Sequence, residues 1–119
     1  MGGRALGRVT KRADFQSFRR PEGRGRSGPI AVSFVSHPDQ DPPVRMAFAI
    51  SKRCGGAVER NRLRRRLREA VAMLTVPVGT GLYLIRAEPE ATALSYDEVV
   101  HSLGQAMSRA SQIGKEKHG

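Results

Sequence analysis

The richest chemistry in this chain lies in the stretch ERNRLRRRLRE, positions 59–69. Six of its eleven residues are Arg, and Glu59 and Glu69 are the only acids beside them. A guanidinium is always charged, and its planar fork can donate to two oxygens of one phosphate. Two carboxylates cannot balance six cations, so intrahelical ion pairs do not account for the run. On a helix, Arg60–Arg64–Arg68 and Arg62–Arg66 are like-charge neighbours at i,i+4, each pair costing about 0.2–0.5 kcal/mol. A helix that accepts such repulsion is suited to an anionic partner, and phosphates of a nucleic acid match the fork. Asn61 adds no charge. Its amide both donates and accepts, so it can meet a base edge, a ribose hydroxyl or a backbone group, or serve a local capping role.

A second candidate is aromatic. Phe15 and Phe18, with Arg12 and Arg19 nearby, can form a stacking platform for single-stranded bases or the core of a short helix. The two rings are expected to divide, one lying partly in a cleft. Catalytic groupings are missing. His37, His101 and His118 fall in a connector, a helix and a tail. Cys54 has no histidine near it in sequence, and as the only cysteine it excludes a disulfide within the chain and a cysteine-based zinc site. GRGRSG at 23–28 lacks the Lys-Ser/Thr of a phosphate-binding loop and a strong strand before it. Asp39 and Asp41 sit on a turn as solvated carboxylates. No residue is assigned a catalytic or metal-binding role. Any catalysis in which the chain takes part would be done elsewhere.

Charge carries the same message over the whole chain. Its 119 residues hold 21 Lys+Arg against 11 Asp+Glu, a net charge of +10, which argues for a polyanionic partner. The excess is confined to the first 68 residues. A basic amphipathic helix can also lie on an anionic membrane. Here its seam of Leu63, Leu67, Ala70, Val71 and Leu74 has no Phe or Trp, and the sheet needs that seam for a core. No apolar run approaches the ~20 residues that span a bilayer. The N-terminus carries no signal-peptide or myristoylation pattern. A soluble intracellular protein is expected.

The elements that must position these groups can be read from periodicity. Residues 1–9 read as a flexible basic arm. Thr10 can cap a short helix carrying Ala13, Asp14, Phe15 and Phe18. Residues 19–29 are a loop or a short irregular edge strand. Ile30 to Ser36 alternates, with Ile30, Val32 and Phe34 on one face. Arg45 to Ser51 alternates too, with Met46, Phe48 and Ile50 on one face. These two runs and the polar connector at 37–43 predict an antiparallel hairpin. Gly55 and Gly56 end the strand before the arginine helix. On that helix Leu63, Leu67, Ala70 and Leu74 form one stripe, with Asn61, Arg65 and Arg68 opposite and Arg62 and Arg64 flanking. GLYLIRA at 81–87 is apolar on both faces, which predicts an interior strand. Ser95 and Glu98 form a capping box for a last helix with the stripe Tyr96, Val99, Val100, Leu103, Met107 and Ala110. Residues 112–119 are a polar tail. The chain is expected to be a single α+β domain, a small α/β sandwich. A mostly antiparallel four-stranded sheet and three helices follow the order α-β-β-β-α-β-α, with the helices mainly on one face.

Residues 46–71, MAFAISKRCGGAVERNRLRRRLREAV, resemble the protein subunit of bacterial ribonuclease P. The features are Ser51-Lys52-Arg53 closing a strand, Gly55-Gly56, Ala57-Val58, then Arg60-Asn61-Arg62, Arg64-Arg65 and Arg68-Glu69-Ala70. RVTKRADF near the N-terminus and LSYDEVVHSL at the last helix extend the similarity. The resemblance implies a left-handed β-α-β crossover around the arginine helix, against the usual right-handed rule. It implies a ribonucleoprotein endonuclease that removes the 5′ leader of precursor tRNA, in which the RNA subunit is the catalyst. Mg²⁺ would be held mainly by that RNA. The implied partners are the catalytic RNA and precursor tRNA, with no membrane and no need of a protein oligomer, in the bacterial cytoplasm. Lys52, Arg53, Arg60, Asn61, Arg62, Arg64, Arg65 and Arg68 would face RNA. A cleft for the single-stranded leader would involve Arg12, Phe15, Phe18, Arg19, Ser33 and Phe34. The chain departs from the family pattern twice: Arg19 stands where the family places a second aromatic, and Ser33 where relatives often carry Tyr. The alternative is a structural, ribosomal-type RNA-binding protein with no processing role.

Overall fold

The computed structural model describes residues 6–118. Along the chain the elements are β1 (Leu6–Arg8), α1 (Arg12–Ser17), β2 (Gly23–Ser27), β3 (Ile30–Ser36), β4 (Val44–Ile50), α2 (Ala57–Ala72), β5 (Gly81–Ala87) and α3 (Tyr96–His118). Two short 3₁₀ turns, Lys52–Cys54 and Pro89–Ala93, precede α2 and α3. The class is α+β with three helices, as expected, but the sheet has five strands in the order β1-β4-β5-β3-β2. It is mixed rather than mostly antiparallel: β1 and β5 run parallel to β4, while β3 is antiparallel to β5 and β2 to β3.

The strand the periodicity missed is β1. Residues 1–5 of the expected arm lie outside the described residues, but Leu6–Arg8 pairs with Val44–Met46. The Val9 N–H extends the pairing by donating to the Met46 carbonyl at 2.9 Å. Three residues carry no alternation to read; the free edge of β4 recruits them. α1 begins one residue later than expected, with Lys11 rather than Thr10 at its N-cap and no side-chain capping bond. Residues 19–29 resolve into the edge strand β2 and its turn.

The hairpin expected between 30–36 and 45–51 does not form, because β5 lies between them. Its register runs from Ile30↔Ala87 to Ser36↔Gly81 on one side and from Val44↔Gly81 to Ile50↔Ala87 on the other. A strand apolar on both faces takes the central slot, where both faces are covered. The 37–43 connector spans the start of β5: the His37 N–H donates to the Thr80 carbonyl at 3.4 Å, and Gln40 Nε2 donates to the Pro43 and Gly81 carbonyls at 2.9 and 2.7 Å. The hairpin present is β2–β3, closed by Gly28 and Pro29 between the paired Ser27 and Ile30. Gly28 has φ +57°, where a side chain is disfavoured.

β4 and β5 are parallel neighbours joined through α2, a β-α-β connection. The main core lies between the sheet and α2 with α3, and includes Ile30, Val32, Phe34, Met46, Leu67, Tyr83, Ile85, Leu103 and Met107. A smaller cluster of Val9, Phe18, Ala47 and Leu82 packs separately. α3 starts at the capping box: the Ser95 N–H donates to Glu98 Oε1 at 2.8 Å, and the Glu98 N–H donates to Ser95 Oγ at 3.2 Å. The Ser95 N–H, and then the Ser95 hydroxyl, donating to the Glu98 carboxyl hold it below the usual carboxylate range. The helix continues to His118, through most of the expected tail.

Candidate nucleic-acid interface

The arginine helix is positioned by the residues that precede it. β4 ends in Ser51, whose Oγ accepts from the Arg53 N–H at 3.1 Å and shapes the turn bearing Lys52 and Arg53. Gly55, at φ +131°, breaks the chain direction. Gly56 then caps α2, its N–H donating to Glu59 Oε1 at 3.0 Å. One of the two acids in the arginine stretch therefore serves the helix terminus. Leu63, Leu67, Ala70 and Val71 are the buried stripe, as periodicity requires. With that face fixed, Asn61, Arg62, Arg65 and Arg68 are exposed, as are Lys52 and Arg53, while Arg60 and Arg64 are half-buried.

The arginines do not share one role. Arg66 Nη2 donates to the Leu94 carbonyl at 2.9 Å and ties α2 to the segment before α3. Arg60 Nε donates to the Gly56 carbonyl at 3.4 Å in the first turn. Arg64 Nη1 donates to Asn61 Oδ1 at 2.6 Å. The Arg68 guanidinium lies 5.7 Å from the centroid of the Phe48 ring, within cation–π range.

Beside α2 opens a cavity of about 650 Å³ at the β1–β4 edge, lined among others by Leu6, Arg8, Phe15, Phe48, Arg64 and Arg68. Phe15 is 47% exposed on α1. Two aromatic rings and three guanidiniums around one opening suit the flat faces of bases and the phosphates between them. The cleft is thus continuous with the α2 array, since Arg64 and Arg68 belong to both.

The residues expected in a leader cleft are not brought together. Phe15 lines the cavity, whereas Phe18 is buried with Val9, Ala47 and Leu82. Phe34 is buried in the main core, its ring centroid 5.0 Å from that of Tyr83. The close approach of α3 at Gly114 and of β5 at Gly81 encloses its ring. Ser33 points to the other face but is also buried. Arg12 is exposed on α1 and does not line the cavity. Arg19 lines a separate cavity of about 400 Å³ at the β2 edge, with Arg20, Arg24 and Ile113. Sequence reasoning missed Phe48 and Arg8. Phe48 alternates with Met46 and Ile50 and so reads as core. It does pack against the main core, but it is only half-buried and also lines the cavity beside β1, a three-residue strand that leaves no sequence signal.

One further group plays no part in the interface. Cys54 is buried and its thiol donates to the Ala87 carbonyl at 3.6 Å; burial, and then the neighbouring Glu88, push the thiol up. Among the described residues, no three His, Cys, Asp or Glu side chains are grouped to hold a metal ion, and no helix is long and apolar enough to cross a membrane.

Comparison with known proteins gives a consistent set of relatives. The family model described as Ribonuclease P matches residues 4–111. The chain is 39% identical over 105 residues to the ribonuclease P protein component of Clavibacter michiganensis, covering 87% of this chain and 91% of the relative. It is 38% identical over 109 residues to that of Exiguobacterium, covering 92% and 94%. Among solved structures, the ribonuclease P protein from Thermotoga maritima superposes with a TM-score of 0.71 at 20% identity, covering 86% of this chain and 96% of that one. The Staphylococcus aureus ribonuclease P protein gives 0.67 at 24% identity, covering 83% and 90%. At these identities the structural likenesses are of fold.

Proposed function

The chain belongs to the ribonuclease P protein family, and on that premise we infer that it is the RNA-binding subunit of a ribonucleoprotein endonuclease that matures the 5′ ends of precursor tRNA. The observation that carries the reading at the level of residues is the continuity between the α2 array and the Phe15–Phe48 cleft. Lys52, Arg53, Arg62, Arg65 and Arg68 present charge to the phosphates of the catalytic RNA, with Arg60 at the edge of the array. Phe15 and Phe48 stack on bases of the single-stranded leader, and Arg64 and Arg68 take its phosphates. Arg8 stands at the cleft's rim.

The chemistry belongs to the RNA subunit. Mg²⁺ is held mainly by that RNA, and no step passes through a metal on this chain. The protein's contribution is electrostatic and positional: it neutralises phosphate repulsion between two RNAs and holds the leader against the complex. The bacterial cytoplasm is the setting, and the left hand of the β4–α2–β5 crossover is carried over from the family.

The rival is a structural RNA-binding protein with no processing role. Titrating the protein into catalytic ribonuclease P RNA and into an unrelated structured RNA of equal length, at rising salt, separates them. The reading expects tighter binding to the catalytic RNA at each salt concentration. Equal affinities would favour the rival.

A further inference from the structure

Asn61 sits between two arginines on the exposed face of α2, yet its amide oxygen is already engaged. Oδ1 accepts from Arg64 Nη1 at 2.6 Å, one helical turn on. Arg64 is half-buried and lines the cleft, whereas Asn61 is exposed and does not. We propose that Asn61 is a positioning residue: it holds the Arg64 guanidinium toward the cleft and acts on the leader through Arg64 rather than by touching RNA. This rests on the reading of that cleft as the leader site.

The choice of amide follows from charge. An acceptor at i−3 is needed to fix a long, rotamer-rich side chain that otherwise swings into solvent. Asp at position 61 would hold Arg64 equally well, but its charge would offset the cation offered to a phosphate. Asn supplies the oxygen without the charge. The bond uses one of five guanidinium N–H donors, leaving the remainder for phosphate. Like-charge neighbours at Arg60 and Arg68 flank Arg64 at i−4 and i+4, and their repulsion would scatter an untethered side chain. The arrangement therefore places an uncharged tether where the cationic face is most crowded.

The test is a double-mutant cycle read as leader discrimination. Holoenzyme is reconstituted from catalytic RNA and wild-type protein, Asn61→Ala, Arg64→Ala or the double variant. For each, affinity is measured for one precursor tRNA with a long leader and one with a single-nucleotide leader. The ratio of the two cancels any change in binding common to both substrates. Each single variant is expected to lower the ratio about fivefold, and the double variant about fivefold rather than about twenty-five-fold, because both remove one device. A control cycle of Asn61→Ala with Arg65→Ala is expected to be multiplicative. A multiplicative Asn61–Arg64 cycle, or an Asn61→Ala protein with the wild-type ratio, would overturn the proposal. If wild-type protein gives no preference for the long leader, the cleft reading itself fails, which is a separate outcome. Asn61 is exposed, so an unchanged melting temperature is expected for Asn61→Ala and keeps folding out of the comparison.

Discussion

Adjacent arginines on α2 have opposite jobs, and a pair of substitutions separates them. Arg65 is exposed and points away from the leucine stripe; Arg66 donates to the Leu94 carbonyl at 2.9 Å. Arg65→Ala is expected to leave the melting temperature in place and make the salt slope of RNA binding shallower by about 0.7–0.9 of a log unit per log unit of salt, the contribution of one phosphate. Arg66→Ala is expected to do the reverse: to cost stability by about 1–2 kcal/mol, as a charge-assisted bond to backbone is lost, with little change in slope. Identical behaviour of the two variants would contradict these assignments. At this scale the sequence was most informative where charge forbade a local explanation, at Arg62, Arg65 and Arg68. It was least informative about Phe34 and Phe48. Both alternate correctly in their strands, and only the cover from neighbouring elements makes one core and the other cleft wall. The purpose of Asn61 was illegible for a similar reason: spacing gives it several partners, and the Arg64 bond selects one.

The elements hold the charged face in place by burying its opposite. Leu67 is fully buried in the core shared by α2, α3 and the sheet. Leu67→Ala is expected to destabilise the fold by about 2–5 kcal/mol, read as a lowered midpoint in denaturant; an unchanged midpoint would refute the assigned face. The seat of α3 on the edge strand is equally tight, since a Cβ at Gly23 or Gly25 would overlap the backbone carbonyl oxygens of Ala110 and Ala106. Helices were legible because their stripes repeat over many residues and their starts carry signals, Gly55-Gly56 for α2 and Ser95 with Glu98 for α3. Pairing was not. Alternation reports which face of a strand is buried but not which strand lies beside it, so β3 and β4 looked like a hairpin until β5 separated them. The three residues of β1 offered no periodicity at all, although they complete the sheet and one wall of the cleft.

For the molecule as a whole, a net charge of +10 concentrated in the first 68 residues favours long-range attraction to any polyanion, and charge alone would not distinguish one RNA from another. What distinguishes this chain is the way the fold arranges the charge. α2 stands beside the β1–β4 edge, so its array adjoins the cleft of Phe15 and Phe48, while Arg19, Arg20 and Arg24 gather around a cavity beside β2, at the opposite edge of the sheet. A single surface can therefore meet a structured RNA and a single strand together. The most direct test is cleavage of precursor tRNA at low Mg²⁺ by catalytic ribonuclease P RNA, alone, with wild-type protein, and with Arg62→Ala/Arg65→Ala/Arg68→Ala protein shown to be folded. The account predicts that wild-type protein raises cleavage well above RNA alone and that the triple variant loses most of the gain. Cleavage no better with wild-type protein than without it, or undiminished with the triple variant, would contradict it.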